Sequence, residues 1–194
     1  MFAEHEQGKQ KKAHRDDLFV ECEQGKQKKT HREDNSPARG YYYLGVIMKF
    51  IFLTQQFYDD YKDCIEIEKK HNRPYMQVVI KIKGIQFAIP FRSGIKHDHA
   101  FWTDKKNNCG LDISKTVVIK KDEYVNKTKT PYIRKVEYDA LRGKEYQLKQ
   151  RLLKYISEFK NAKNALNISK NKLLYNFSAL QYFEKEIEDI TTEL

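Results

Sequence analysis

The densest run of chemically useful side chains is Arg92-Ser93-Gly94-Ile95-Lys96-His97-Asp98-His99. It holds two imidazoles, His97 and His99, which exchange protons near neutral pH. Two further cations, Arg92 and Lys96, can neutralise a phosphate, and the Ser93 hydroxyl can donate a hydrogen bond to it. These are the parts needed for metal-free cleavage of RNA. In that reaction the ribose 2′-hydroxyl attacks the adjacent phosphorus. The protein must remove its proton, protonate the leaving 5′-oxygen and stabilise the charge gathering on phosphorus. Two plainer readings stand beside this one. His97-Asp98-His99 is also a metal-ligand pattern, although its usual further ligands are not evident, and a solvated polar loop with two surface histidines needs no ligand at all.

A second run, Thr130-Pro131-Tyr132-Ile133-Arg134-Lys135, offers a ring that could stack on a base and a guanidinium for a phosphate. The alternative is a segment leading into a helix, with Tyr132 packed on a sheet. Lys144, Lys149, Lys154 and Lys160 read as the solubilising face of a helix. No Gly-rich phosphate loop, paired-carboxylate motif or Cys/His nucleophile motif accompanies these runs.

The elements that must position them follow from periodicity. Lys49 to Leu53 reads as a strand, and Thr54 as the N-cap of a helix bearing Phe57, Tyr58, Tyr61 and Ile65. Tyr75–Ile82 and Ile85–Phe91 are β-rich runs about Lys83-Gly84, a tight hairpin, with Pro90 ending the second strand. Ala100–Thr103 is a short strand, Asn107-Asn108-Cys109-Gly110 a turn, and Thr116–Ile119 a further strand. Leu141, Leu148, Leu152, Ile156 and Phe159 make one helical stripe, weakened at Gly143. Phe177, Leu180, Phe183, Ile187 and Ile190 make another. The expected class is α+β: a small, mainly antiparallel sheet backed by helices, with a long C-terminal helical part.

Charge separates the chain into two parts. Residues 48–194 carry 28 Lys/Arg against 19 Asp/Glu, nine of the ten excess positive charges, together with 20 of the 25 aromatics. A basic surface interleaved with aromatics suits a nucleic-acid partner. Three cysteines, Cys22, Cys64 and Cys109, lie far apart with neither disulfide nor zinc spacing, which fits a reducing cytoplasm. No secretory leader and no membrane span is evident, because the first residues are polar and the run from Leu44 to Leu53 is short and broken by Lys49.

Residues 1–47 read differently. Met1–Asp17 and Leu18–Asp34 align without gaps at 12 of 17 positions, yet each unit holds little apolar surface beyond Phe2 or Phe19. Such a unit cannot stack into a core and is expected to be disordered. Most mismatches need a single nucleotide change, as in Ala3/Val20, Ala13/Thr30 and Asp16/Glu33. A DNA repeat of 51 nucleotides, three per residue, explains this. Ser36 to Tyr43 can be encoded by a transcription terminator, and Leu44-Gly45-Val46 by a ribosome-binding sequence just before Met48. The expectation is that residues 1–47 are translated repeat DNA and that Met48–Leu194 is one folded domain; a genuine basic tail with a duplicated segment is the alternative.

That domain carries a resemblance. Met48-Lys49-Phe50, Arg73-Pro74-Tyr75, the run Lys83 to Ser93, the loop Ile95 to Phe101, and Thr130-Pro131-Tyr132 with Arg134 together resemble the toxins of type III toxin–antitoxin systems. This is the ToxN/AbiQ superfamily, and the chain is most similar to its TenpN and CptN branches. The resemblance implies a Kid/MazF-like twisted antiparallel sheet with added helices. It implies a cofactor-free, metal-independent endoribonuclease that cuts A-rich RNA to a 2′,3′-cyclic phosphate and arrests growth during phage infection. Its inhibitor would be an antitoxin RNA encoded in repeats just upstream, trimmed into pseudoknotted units and held with the toxin in a closed cyclic assembly. By position, Ser93 and Lys96 match the family's catalytic residues, and Tyr132 matches a tyrosine near its RNA site. Arg92, Tyr75 and Arg134 are the accompanying RNA-binding candidates. Two departures stand out: Arg92 occupies the place of a Thr in ToxN, and Lys96 lies one residue further from Ser93. The general base is therefore open among Lys96, His97 and His99.

Overall fold

The computed structural model describes residues 19–21, 48–69, 77–130 and 132–190. In chain order its strands are β1 (Phe19–Glu21), β2 (Lys49–Leu53), β3 (Gln77–Ile82), β4 (Ile85–Arg92), β5 (Ala100–Asp104), β6 (Cys109–Asp112), β7 (Val117–Ile119), β8 (Val125–Asn126) and β9 (Tyr132–Arg134). Helix α1 (Gln55–Asp60) follows β2. Helices α2 (Lys135–Leu141), α3 (Glu145–Lys163), α4 (Ser169–Phe177) and α5 (Glu184–Ile187) close the chain. The class is α+β, with a seven-stranded, curled antiparallel sheet in the order β5-β6-β4-β3-β2-β8 and β7 alongside β4.

The β3–β4 hairpin is the frame. It pairs without a slip from Gln77↔Pro90 to Ile82↔Ile85. Lys83 and Gly84 both have positive φ, 47° and 83°, the turn geometry that follows the natural strand twist. Pro90 does not end β4, which runs on to Arg92. The reason lies in the other edge of β4. That edge pairs with β7 at Gln86–Ala88 and with β6 at Phe91–Arg92. Hydrogen-bonded pairs alternate outward from a two-residue turn, so residue 90 points its backbone nitrogen away from β3. The missing N–H of Pro90 therefore falls between the stretch paired with β7 and the stretch paired with β6, and no ladder bond is lost.

The segment expected to be a turn, Asn107 to Gly110, divides in two. Lys105–Asn107 forms a 3-10 turn and Asn108 takes a left-handed φ of 54°. Cys109 then opens β6, which is buried along its whole length between β5 and β4. Its four residues are too few to show a period, so only the two neighbouring strands define it.

The helices form around the predicted stripes with two breaks. Gly143, at φ 69°, does more than weaken a helix: it separates α2 from α3, and Leu141 belongs to the first. Along α3, Leu148, Leu152, Tyr155, Ile156, Phe159 and Ala162 are buried. The last stripe is split by Ser178, whose hydroxyl accepts from Leu180 N at 3.3 Å and starts a 3-10 turn. Leu180, Phe183, Ile187 and Ile190 reach the core, whereas Phe177 is exposed. Helix α1 is also shorter than predicted and leaves Ile65 exposed. Thr54 does occupy the N-cap position of α1, but its hydroxyl donates to Glu123 O instead of accepting from the helix.

Phe19–Glu21 pairs antiparallel with β9. This is a strand inside the segment expected to lack structure. The rest of residues 1–47, and with it the remainder of the repeat, lies outside the described residues.

Candidate active site

Strand β4 carries Arg92 to the end of the sheet, where β6 pairs with it. There the Arg92 Nη1 donates to Asp112 Oδ2 at 2.7 Å, and its Nε lies 3.4 Å from Glu68 Oε2. Asp112, the last residue of β6, is fully buried. Its Oδ1 accepts from the Ser114 hydroxyl at 2.6 Å and the Ser114 backbone at 3.1 Å. The His97 Nε2 stands 3.5 Å from Asp112 Oδ2 and 3.4 Å from Ser114 Oγ. Burial alone would push the Asp112 carboxyl up. The donors His97, Ser114 and Arg92 outweigh it and hold the group below the ordinary carboxylate range.

Ser114, His97 and Asp112 do not form a nucleophile triad. Such a triad needs serine and carboxylate on opposite nitrogens of the ring, and here both meet Nε2. The other nitrogen, Nδ1, is buried with no hydrogen-bond partner. Neither ring nitrogen of His97 is open to a ligand: Nε2 faces Asp112 and Ser114, and Nδ1 is buried. His99 is placed differently. Its ring packs on Tyr155 at 5.0 Å, with Nδ1 3.8 Å from Glu158 Oε2. Burial lowers its pKa below the free value, against the opposing pull of Glu158. A neutral, half-exposed imidazole at pH 7 is the state a general base requires.

The loop between them is pegged at several points. Gly94 turns it with a φ of 70°. Ile95 is buried and its N–H donates to Asn108 O at 3.1 Å. The His99 carbonyl accepts from Ile113 N at 3.0 Å. Ser93 and Lys96, between these pegs, are exposed. Lys96 makes no ion pair among the described residues.

The two runs singled out in the sequence meet. Phe91, Arg92, Ser93, Asn107, Cys109, Arg134 and Glu137 line one open pocket of about 430 Å³. Arg134 reaches it from β9, with its side chain on Glu137 Oε1 at 2.6 Å. Tyr132 is 46% exposed, and alternation puts it on the same face of β9 as Arg134. Neither arginine is a bare cation: Asp112 holds one and Glu137 the other. Arg92 also faces Glu68, so both guanidiniums are held in place by carboxylates. Tyr75 lies outside the described residues.

No family model matches the chain, and no curated protein or solved structure does.

Two plainer readings can be weighed on the geometry. As metal ligands, His97 and His99 would need a third donor, and among the described residues no group of three His, Cys, Asp or Glu comes together. As a purely solvated loop, Arg92–His99 would not be tied to a buried carboxylate. Of the helix lysines, Lys154 lies 4.0 Å from Glu158 Oε1, the carboxylate beside His99. Lys160 binds the Glu188 and Ile190 carbonyls instead. Among the described residues no helix is long and apolar enough to cross a membrane.

Sequence reasoning missed Asp112 and Glu137. Asp112 does carry a local signal: an Asp two residues before a Ser, able to bond the backbone two positions on. Glu137 sits three residues after Arg134, the acceptor position of a helix-capping box.

Proposed function

We propose that the chain is the toxin of a type III toxin–antitoxin system, a metal-independent endoribonuclease that cuts A-rich RNA and is held inactive by a repeated RNA antitoxin in a closed cyclic assembly. The observation that carries this reading is the shared pocket of Ser93, Arg92 and Arg134, formed by segments some forty residues apart, beside a loop bearing Lys96 and His99. The resemblance in sequence supports it, and a Kid/MazF-like arrangement belongs to the same proposal.

In this reading a phosphodiester lies along the loop. His99 takes the 2′-hydroxyl proton, the 2′-oxygen bonds to phosphorus, and the bond to the 5′-oxygen breaks as solvent water gives that oxygen a proton. The products are a 2′,3′-cyclic phosphate and a 5′-hydroxyl. Ser93, Lys96 and the Arg92 guanidinium stabilise the charge on phosphorus. Tyr132 and Arg134 hold the neighbouring nucleotide.

Incubation with an A-rich RNA in EDTA tests this. Cleavage with 2′,3′-cyclic ends is expected, with a loss on the order of a hundredfold for Lys96→Ala, the scale of one preorganised donor. Full cleavage by that variant removes Lys96 from the mechanism. Tight binding without any cutting by the wild type would leave a non-catalytic RNA-binding module.

A further inference from the structure

We infer that Asp112 is the positioning residue of this site, its buried carboxylate locking the loop that presents Ser93, Lys96 and His99. The inference rests on the reading just given and adds a residue to it. One carboxylate gathers donors from three places in the chain: Arg92 at the end of β4, His97 in the middle of the loop, and Ser114 in the 3-10 turn after β6. Oδ2 serves the loop through Arg92 and His97, while Oδ1 serves the turn.

The geometry also assigns a tautomer. A carboxylate only accepts, and the single Ser114 hydroxyl proton is directed at Asp112 Oδ1 at 2.6 Å. The proton between His97 and Asp112 must then sit on His97 Nε2. In the neutral ring the lone pair falls on Nδ1, the buried atom without a partner. His97 is thereby an anchor that fixes the middle of the loop, and Lys96 and His99 flank it.

Asparagine at position 112 keeps the shape and breaks the logic. An amide has one acceptor oxygen and one NH₂. If the oxygen faces Ser114, the NH₂ meets the donors Arg92 and His97. If it faces them, the NH₂ meets the Ser114 backbone N–H. The β5–β6 and β4–β6 ladders use only the backbone and are untouched by the exchange.

The test compares the full chain, Asp112→Asn, and Thr116→Val as a folding control. Thr116 is buried in the same turn, and its hydroxyl donates to Ile113 O at 2.7 Å, away from Arg92 and His97. For Asp112→Asn we expect kcat on a short A-rich RNA to fall on the order of a hundredfold, with KM unchanged or lower because a negative charge near the phosphate is gone. Thr116→Val should keep both constants while melting earlier. A loss in Asp112→Asn no larger than in Thr116→Val overturns the proposal. A second measurement is independent of catalysis: ¹⁵N-histidine NMR should find His97 protonated at Nε2, with that signal displaced in Asp112→Asn. A wild-type His97 protonated at Nδ1 alone, or a spectrum indifferent to the substitution, also overturns it. A wild type that cuts no RNA defeats the ribonuclease reading, and the NMR result still decides the Asp112 lock.

Discussion

Gly110 should be among the least replaceable glycines of this chain, for a reason of space. It sits in β6 opposite Trp102 on one side and Arg92 on the other. A Cβ at this position would lie 2.4 Å from the Phe101 carbonyl oxygen and 3.0 Å from the Trp102 Cα. Both obstacles are backbone, so no side chain can swing away, and β6 is paired on both edges. Gly110→Ala must then spread the β5–β6 pair. Overpacking of this kind costs up to about 3 kcal/mol, which for a chain of this size lowers Tm by about 6–12 °C. Gly84→Ala is the reference. There the added Cβ meets nothing within 4 Å and only the φ of 83° is strained. That costs about 1–2 kcal/mol. Thermal unfolding followed by circular dichroism measures both. The displaced strand bears Asp112 and faces Arg92, so Gly110→Ala should also lose RNA cleavage at temperatures where it is still folded. A Gly110→Ala protein that melts with the wild type, or later than Gly84→Ala, would refute the reasoning.

Two further outcomes follow from the packing. Burial holds His99 below its free pKa of 6.5, so the unfolded chain takes up this proton first as pH falls. The stability tied to the neutral ring is complete above about pH 6.5 and drains away as pH drops through the lower folded value. Tm of the wild type should therefore decline more steeply than that of His99→Gln between about pH 7 and pH 5, and parallel declines would exclude a linked His99. Phe57 is fully buried, with ring contacts to Tyr61 at 4.8 Å and Tyr124 at 5.3 Å. Phe57→Ala should cost about 3–5 kcal/mol in urea unfolding, and a loss under about 1 kcal/mol would show that this corner is not part of the core.

The site was legible in pieces. Imidazoles, hydroxyl and cations clustered within a few residues mark a candidate site wherever the loop lies, and Ser93, Lys96 and His99 stand exposed or half-exposed. The union of that loop with Arg134 was not legible, since nothing local relates the end of β4 to β9. His97 illustrates the limit best. Its type suggested a proton carrier, but the partner that ties it down is a buried aspartate fifteen residues away, in a strand too short to recognise.

What the residues determined alone was whatever depends on near neighbours. Two β-rich runs with Lys83-Gly84 between them specified the β3–β4 hairpin, because register and turn are set within a few bonds. The spacing of Leu148, Leu152, Ile156 and Phe159 specified α3 for the same reason. Tertiary structure decided the rest: that β4 passes through Pro90, that Cys109–Asp112 is a strand, that Gly143 parts two helices, and that Asp112 gathers Arg92, His97 and Ser114. Each of these depends on pairing or burial by distant segments, and such contacts have no signature in local periodicity.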